Sequence, residues 1–148
     1  MSGKVTLIGG GPGDPELITL KGLKALRAAD VIVHDRLVAL DLLQEAKADA
    51  EIIDASKKGL EEKLSQDEIN AVLVERAQQG KHVVRLKGGD PYVYGRGAEE
   101  AVFCHEHGVA CEVIPGVSTL VAATASAGFP LTYYGISSRF LTMMGYEN

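Results

Sequence analysis

Short apolar segments alternate with longer amphipathic segments along most of the chain. Val5-Thr6-Leu7-Ile8 is an apolar run that stops at three glycines, as a buried strand does. Residues 16–29 carry leucines at 17, 20, 23 and 26, a spacing that predicts an amphipathic helix. The other predicted strands are 31–33, 51–53, 82–87 and 109–114. The other predicted helices are 40–46, 97–107, 117–127 and one that starts at the capping box Ser65-Gln66-Asp67-Glu68 and stops at Gly80.

This order of elements predicts an α/β fold with an open, largely parallel sheet and helices on both faces. It holds over residues 1–134, which we interpret as one domain. Residues 135–148 fit it less well, and 140–144 are interpreted as a strand that begins a second α/β domain, which is mostly absent. Ligands of such sheets bind beyond the carboxyl ends of the strands. Four loops fall there: 9–15, 34–37, 87–97 and 115–119.

Composition and charge narrow the function classes. The 148 residues are 46% hydrophobic and 24% charged, which is typical of one globular domain. A formal net charge of -5 argues against general binding to nucleic acid. No apolar run approaches the roughly 20 residues of a membrane span, and Met1 to Lys4 lead into the first strand without a signal peptide. We therefore expect a cytoplasmic protein without nucleic-acid or membrane partners.

The cysteines do not predict a metal site or a disulfide framework. Cys104 and Cys111 lack the CxxC spacing. Cys104 opens the run Cys104-His105-Glu106-His107, but adjacent residues of a helix do not share a face. The run is therefore interpreted as a helix end, with no metal bound.

The loop after the first strand, Gly9-Gly10-Gly11-Pro12-Gly13-Asp14, invites comparison with the dinucleotide-binding fingerprint. That fingerprint requires a third glycine where Asp14 stands, and a carboxylate there would repel a pyrophosphate. Asp35, at the end of the second strand, stands where an acid that binds ribose is expected, so a flavin- or nicotinamide-binding domain remains an alternative. So many glycines also suit a backbone that approaches a flat ligand such as adenosine.

Three stretches together resemble the tetrapyrrole methylase family. They are VTLIGGGPGDPELITLKGLKALRAADVIVHDRLV at 5–38, VRLKGGDPYVYGRGAEE at 84–100 and IPGVSTLVAATASAGFPLT at 114–132. Within that family, DRLV and GRGxEE are typical of the uroporphyrinogen-III C-methyltransferases, and precorrin methylases are near relatives. Two features depart from the family pattern. Met144-Gly145-Tyr146 replaces the usual threonine-glycine-histidine, and Tyr133 and Tyr134 replace the basic residues after PLT.

The resemblance implies that S-adenosylmethionine lies in the cleft between two domains. The residues implied to contact it are Pro12, Gly88, Gly89, Asp90, Val93, Ser118 and Thr119. Asp90 could accept from ribose hydroxyls or the cofactor ammonium, or could cap the following helix. Ser118 and Thr119 could likewise cap the helix that follows them.

The resemblance also implies the reacting groups. Asp35 corresponds to the acid–base group, with an ordinary turn aspartate paired with Arg36 as the alternative. Lys57 corresponds to a second catalytic position, although Lys58 is adjacent and could take its place. Arg96 is expected to bind a substrate carboxylate, or else to pair with Glu99 or Glu100. Arg36 and Lys58 are expected to help bind the substrate.

The implied activity is S-adenosylmethionine-dependent C-methylation of uroporphyrinogen III at C-2 and C-7. The product would be precorrin-2, the precursor of sirohaem and cobalamin, and the enzyme a homodimer. Two alternatives remain open. The chain could methylate another tetrapyrrole such as a precorrin, or it could be an incomplete fragment that only binds or dimerises.

Overall fold

The computed structural model describes residues 3–56 and 64–145. Within these two ranges, five strands form one sheet: β1 (Lys4–Gly9), β2 (Val31–His34), β3 (Glu51–Asp54), β4 (His82–Lys87) and β5 (Ala110–Ile114). Their spatial order is β3-β2-β4-β1-β5, and every pair is parallel. The predicted α/β fold with an open parallel sheet is confirmed.

The part of the chain that the structure describes has four α-helices, which connect the strands or follow them: α1 (Leu20–Ala28), α2 (Gln66–Gln78), α3 (Gly97–Glu106) and α4 (Thr119–Ser126). The predicted capping box of α2 is confirmed, because the Ser65 side chain accepts from the Glu68 amide while the Glu68 carboxylate accepts from the Ser65 amide. None of the helices in the described ranges is both long and apolar enough to cross a bilayer.

The sheet is covered on both faces, which explains why strands β1 and β2 are buried along almost their whole length. On one face, α2 and α3 pack against side chains such as Leu7 and Val83. On the other face, α1 and a short 3₁₀ helix pack against side chains such as Ile8 and Leu86. Neighbouring residues of a strand point to opposite faces, so Leu7 and Ile8 are both fully buried in different cores.

Two predicted helices differ in the structure. The segment 16–29 begins as a 3₁₀ helix, Pro15–Leu17, and α1 starts only at Leu20 because the Thr19 side chain caps it. The segment 40–46 is a 3₁₀ helix, Leu40–Glu45, rather than an α-helix. Residues 140–144 form no strand, since they pair with no strand of the sheet.

The central strands β1 and β4 lie side by side but send the chain in opposite directions. From β1 the chain passes through α1 to β2, on one side of the pair. From β4 it passes through α3 to β5, on the other side and over the other face. The loops after β1 and β4 therefore diverge at the carboxyl edge, which is where open α/β sheets bind ligands.

Candidate active site

A cavity of about 530 Å³ opens at this divergence. That volume lies within the range of small-molecule sites. Its walls come from the end of β4, from the loops after β1, β2 and β4, and from the starts of α2 and α4. The lining residues are Gly11, Pro12, Asp35, Leu37, Gln66, Ile69, Arg85, Lys87, Gly88, Gly89, Val93, Tyr94, Gly95, Arg96 and Thr119.

Glycines bring the loops of this cavity into contact. Gly11 and Gly89 exchange two main-chain hydrogen bonds, with N···O distances of 2.7 and 3.3 Å. A Cβ atom added to Gly116 would lie 2.3 Å from the Gly89 carbonyl oxygen and 2.6 Å from the Gly9 Cα. Real side chains cannot approach backbone so closely, so glycine is required where the chain segments that follow β1, β4 and β5 meet.

Asp90 joins two of these loops. Its Oδ1 accepts from the Tyr92 amide at 2.8 Å, and its Oδ2 accepts from the Gly116 amide at 3.0 Å. The alternative that Asp90 caps the next helix is wrong, because α3 begins at Gly97 with Arg96 in the capping position. Asp90 thus ties the loop after β4 to the loop after β5.

The loop after β4 also stores backbone strain. Tyr94 and Arg96 have φ values of 53° and 57°, in the left-handed region that non-glycine residues rarely adopt. Each such residue costs about 1–2 kcal/mol. Both line the cavity, and strain of this kind is concentrated at functional sites.

A cluster of charges, buried except for Asp35, lies at and behind one wall of the cavity. Arg85 and Lys87 stand two residues apart on β4 and so point to the same face, toward Glu100 of α3. The Glu100 Oε1 lies 3.0 Å from both Arg85 Nε and Lys87 Nζ. Arg85 Nη2 also donates to Asp35 Oδ1 at 2.5 Å. These two cations and two carboxylates balance in charge, as buried ions must.

The Lys87 amine of this wall has a lowered pKa. Burial lowers its pKa, as does the neighbouring Arg85 guanidinium, while Glu100 and Asp35 oppose the shift. Arg85, Lys87 and Glu100 were not predicted from the sequence. The available signal was that these two cations alternate with apolar residues in a predicted strand whose other residues are mostly apolar.

Residues 4–147 match the family Tetrapyrrole (Corrin/Porphyrin) Methylases. The chain belongs to this family. The resemblance inferred from the three sequence stretches is therefore confirmed.

Other members are similar over nearly the whole chain. The uroporphyrinogen-III C-methyltransferase of Methanocaldococcus jannaschii is 50% identical over 147 residues, which are 99% of this chain and 61% of the relative. The structure of uroporphyrin-III C-methyl transferase from Thermus thermophilus complexed with S-adenosylhomocysteine is 45% identical with a TM-score of 0.78, covering 93% of this chain and 57% of that one. A cobalt precorrin-4 methyltransferase is 40% identical with a TM-score of 0.77, covering 88% and 52%. The chain thus spans about three fifths or less of these relatives.

The structure brings most of the predicted site residues of this tetrapyrrole methylase together. Seven of them line the cavity: Pro12, Gly88, Gly89, Val93, Thr119, Asp35 and Arg96. Asp90, Ser118 and Arg36 are not among the lining residues, and Lys57 and Lys58 lie outside the described residues. Ser118 takes its predicted capping role, because its Oγ accepts from the Leu120 amide at 3.3 Å.

Arg96 pairs with Glu99, the alternative stated for it. Arg96 Nε lies 3.0 Å from Glu99 Oε1, and Arg96 Nη2 lies 2.5 Å from Glu99 Oε2. More than half of each side chain is exposed, so this pair contributes at most about 1 kcal/mol. A ligand carboxylate could replace Glu99 at little cost.

The glycine loop of the tetrapyrrole methylase does not have the dinucleotide-binding geometry. Asp14 caps only the 3₁₀ helix, since its Oδ1 accepts from the Glu16 amide at 2.9 Å. The α-helix begins at Leu20, seven residues after Gly13, whereas the dinucleotide-binding fingerprint opens directly into its helix. The flavin or nicotinamide alternative therefore loses its structural basis.

Proposed function

We propose that the chain binds S-adenosylmethionine in this cavity and forms the cofactor-binding part of a C-methyltransferase that acts on uroporphyrinogen III. The observation that carries the proposal is that the glycine-lined loops and Asp35 line the same cavity. The Thermus thermophilus relative, 45% identical, is described as complexed with S-adenosylhomocysteine, which supports the cofactor. The Methanocaldococcus jannaschii relative supports the substrate.

The residues of the cavity fit such a cofactor. Pro12, Gly88 and Gly89 offer main chain without bulky side chains, so a flat adenosyl group can approach closely. Val93 adds an apolar surface, and Thr119 adds a hydroxyl. Asp90 and Ser118 hold the same loops, and each oxygen retains capacity to accept further hydrogen bonds.

The bound cofactor would supply an electrophilic methyl group. The chain would hold the donor and the electron-rich pyrrole carbon in line, which accounts for much of the rate. As the carbon–carbon bond forms, the carbon–sulfur bond breaks and the electron pair stays on sulfur. The methylated carbon already carries a side chain and has no hydrogen, so the macrocycle, now positively charged, would lose a proton from another position. We assign Asp35 as the base because its carboxylate lies at the cavity wall, paired with Arg85. Two rounds, at C-2 and C-7, would give precorrin-2.

The substrate carries eight carboxylates, so cations must meet it. We assign Arg96 to one carboxylate, with Arg36, Lys57 and Lys58 as further candidates, and Lys57 as the second catalytic residue. The described cations of the cavity wall are already paired with Glu99, Glu100 or Asp35. Substrate binding at Arg96 therefore requires displacement of the exposed Glu99 carboxylate.

A second candidate is methylation of another tetrapyrrole such as a precorrin. The 40% identity to a cobalt precorrin-4 methyltransferase favours it. Incubation of the chain with radiolabelled S-adenosylmethionine and either uroporphyrinogen III or a precorrin separates the two, since only the true acceptor gains label. By resemblance we further infer that the protein is cytoplasmic and that it forms a homodimer. Sedimentation analysis checks the dimer.

Calorimetric titration with S-adenosylhomocysteine tests the cofactor, with NAD and FAD as control ligands. Binding of S-adenosylhomocysteine alone supports the proposal. Binding of NAD or FAD instead would refute it. Asp35→Asn is the matched variant: it should keep S-adenosylhomocysteine binding and lose methyl transfer. Binding without transfer in the unsubstituted chain would favour the fragment that only binds or dimerises.

A further inference from the structure

Glu100 is a fully buried carboxylate that does not line the cavity. Its Oε1 accepts from three donors on two elements: Arg85 Nε at 3.0 Å and Lys87 Nζ at 3.0 Å from β4, and Gln66 Nε2 at 3.3 Å from α2. Its Oε2 accepts no hydrogen bond from any residue in the described ranges. Such a group is costly to bury, so its retention here requires a reason beyond packing.

Arg85 connects Glu100 to the cavity. Its side chain is 2% exposed, and its Nε and Nη2 donate to opposite partners, Glu100 and Asp35. Its Nη1 lies 3.4 Å from the Val33 carbonyl oxygen. The planar guanidinium is thus held at three points and cannot rotate without breaking one of them. Its orientation fixes where the Asp35 carboxylate lies.

Several elements place charged or polar groups around Asp35. From β4, Arg85 contacts it and Lys87 Nζ lies 3.8 Å away. From α3, Glu100 offsets these two cations, and Gln66 of α2 is neutral. Along the chain its neighbours are His34, whose Nδ1 lies 3.0 Å from the Asp35 carbonyl oxygen, and Arg36. Without the Glu100 charge, two cations would face one carboxylate.

We propose that Glu100 is a positioning residue: through Arg85 and Lys87 it fixes the orientation of the Asp35 carboxylate and keeps that group basic enough to take a proton. The role of Asp35 in methyl transfer rests on the proposed function. The link between Glu100 and Asp35 does not rest on the proposed function, because it is measured without any substrate.

The test follows the Asp35 carboxyl carbon by NMR in a chain labelled with carboxyl-¹³C aspartate, with Asp35→Asn to assign its resonance. In Glu100→Gln, the uncompensated cations should lower the Asp35 titration midpoint by about one pH unit. The control is Glu106→Gln, the same change at an exposed position of the same helix, which should leave the midpoint unchanged. An unchanged midpoint in folded Glu100→Gln overturns the proposal.

A second variant covers the case in which Glu100→Gln does not fold. Arg85→Met combined with Glu100→Gln removes one charge of each sign and leaves the interior balanced. The comparison is with Arg85→Met alone, in which Glu100 still offsets Lys87 beside Asp35. The double variant should have the lower Asp35 midpoint of the two, and equal midpoints overturn the proposal.

Kinetics test the consequence. Glu100→Gln should lower kcat for methyl transfer at least about tenfold, with the KM for S-adenosylmethionine little changed. Its pH–rate profile should shift in the same direction as the NMR midpoint. A shifted midpoint without methyl transfer in the unsubstituted chain would favour the fragment that only binds or dimerises and would leave the link between Glu100 and Asp35 intact. A shifted midpoint with unchanged kcat and an unchanged profile would overturn the positioning role.

Discussion

The Asp90 carboxylate and the Gly116 amide, 3.0 Å apart, join two loops that are separated by 26 residues in sequence. Asp90→Asn replaces one acceptor oxygen with an NH₂ group, so one of its two amide partners loses its acceptor. We expect a loss of about 1–3 kcal/mol in the free energy of unfolding. We also expect weaker binding of S-adenosylhomocysteine. Urea denaturation and calorimetry measure the two effects.

Asp14→Asn is the control for Asp90→Asn. The Asp14 carboxylate accepts from the Glu16 amide at 2.9 Å, as the Asp90 carboxylate does from the amide two residues later. Within the described residues, however, Asp14 makes no hydrogen bond to a second loop. It should cost less stability and leave ligand binding intact. Equal effects of the two variants would show that the contact with Gly116 is unimportant.

Gly116→Ala tests the close approach of the three loops. The new Cβ would meet backbone of Gly89 and Gly9, which cannot rotate away, so the loops must separate. We expect a loss of about 1–3 kcal/mol in stability and at least about tenfold weaker binding of S-adenosylhomocysteine. Gly108→Ala is the control, because Gly108 has a φ of 70° but open space around its Cβ position. It should cost about 1 kcal/mol and leave binding unchanged. Normal binding by Gly116→Ala would contradict this account of the site.

Arg96 allows backbone strain to be separated from charge. Arg96→Gly removes both the guanidinium and the strain at φ 57°, whereas Arg96→Ala removes the guanidinium alone. We expect the glycine variant to be more stable than the alanine variant by about 1 kcal/mol. Both should raise the KM for the tetrapyrrole and leave S-adenosylhomocysteine binding unchanged. A KM unaffected in both variants would remove Arg96 from substrate binding.

His82 predicts how stability depends on pH. It is half-buried, with Nε2 3.0 Å from Thr6 Oγ1, and burial together with the Lys4 ammonium lowers its pKa from the usual 6.5. The unfolded chain therefore binds a proton more readily than the folded one. Stability from this group is fully present above pH 6.5 and is lost as the pH falls through the lowered pKa.

Urea midpoints at about pH 7.5 and about pH 5.5 measure this dependence. The midpoint should fall at the lower pH, and His82→Gln should reduce the fall. His105→Gln, at an exposed position on α3, should leave it unchanged. If His82→Gln shows the full pH dependence of the unsubstituted chain, another group is responsible.

The order and type of most elements could be predicted because they depend on local pattern. Continuous apolar runs indicated strands buried on both faces, and Ser65 with Glu68 marked the start of α2 within one turn. The helix start at Leu20 was missed because Thr19, which caps the helix, lies inside the run of leucines with helical spacing. The local sequence pattern could not decide between a helix that starts at residue 16 and one that starts at Leu20.

The site was predictable only in part, for a physical reason. Gly88, Gly89 and Asp35 could be named from the resemblance, and the structure places them at one cavity. The bond from Asp90 to Gly116 and the pairing of Arg85 with Glu100 depend on which strands become neighbours. No local rule specifies that a charged side chain in a strand will meet a carboxylate of a later helix.

The central position of β1 has a consequence for synthesis of the chain. Among the described strands, its sheet partners are β4 and β5, which begin at His82 and Ala110, whereas β2 and β3 follow it directly and pair with each other. At the usual translation rates, roughly 4–15 s pass after β1 before the first residue of β4 has been made. During that interval the apolar strand Lys4–Gly9 lacks both of its native partners, and an unpaired strand of this kind is open to pairing with other chains.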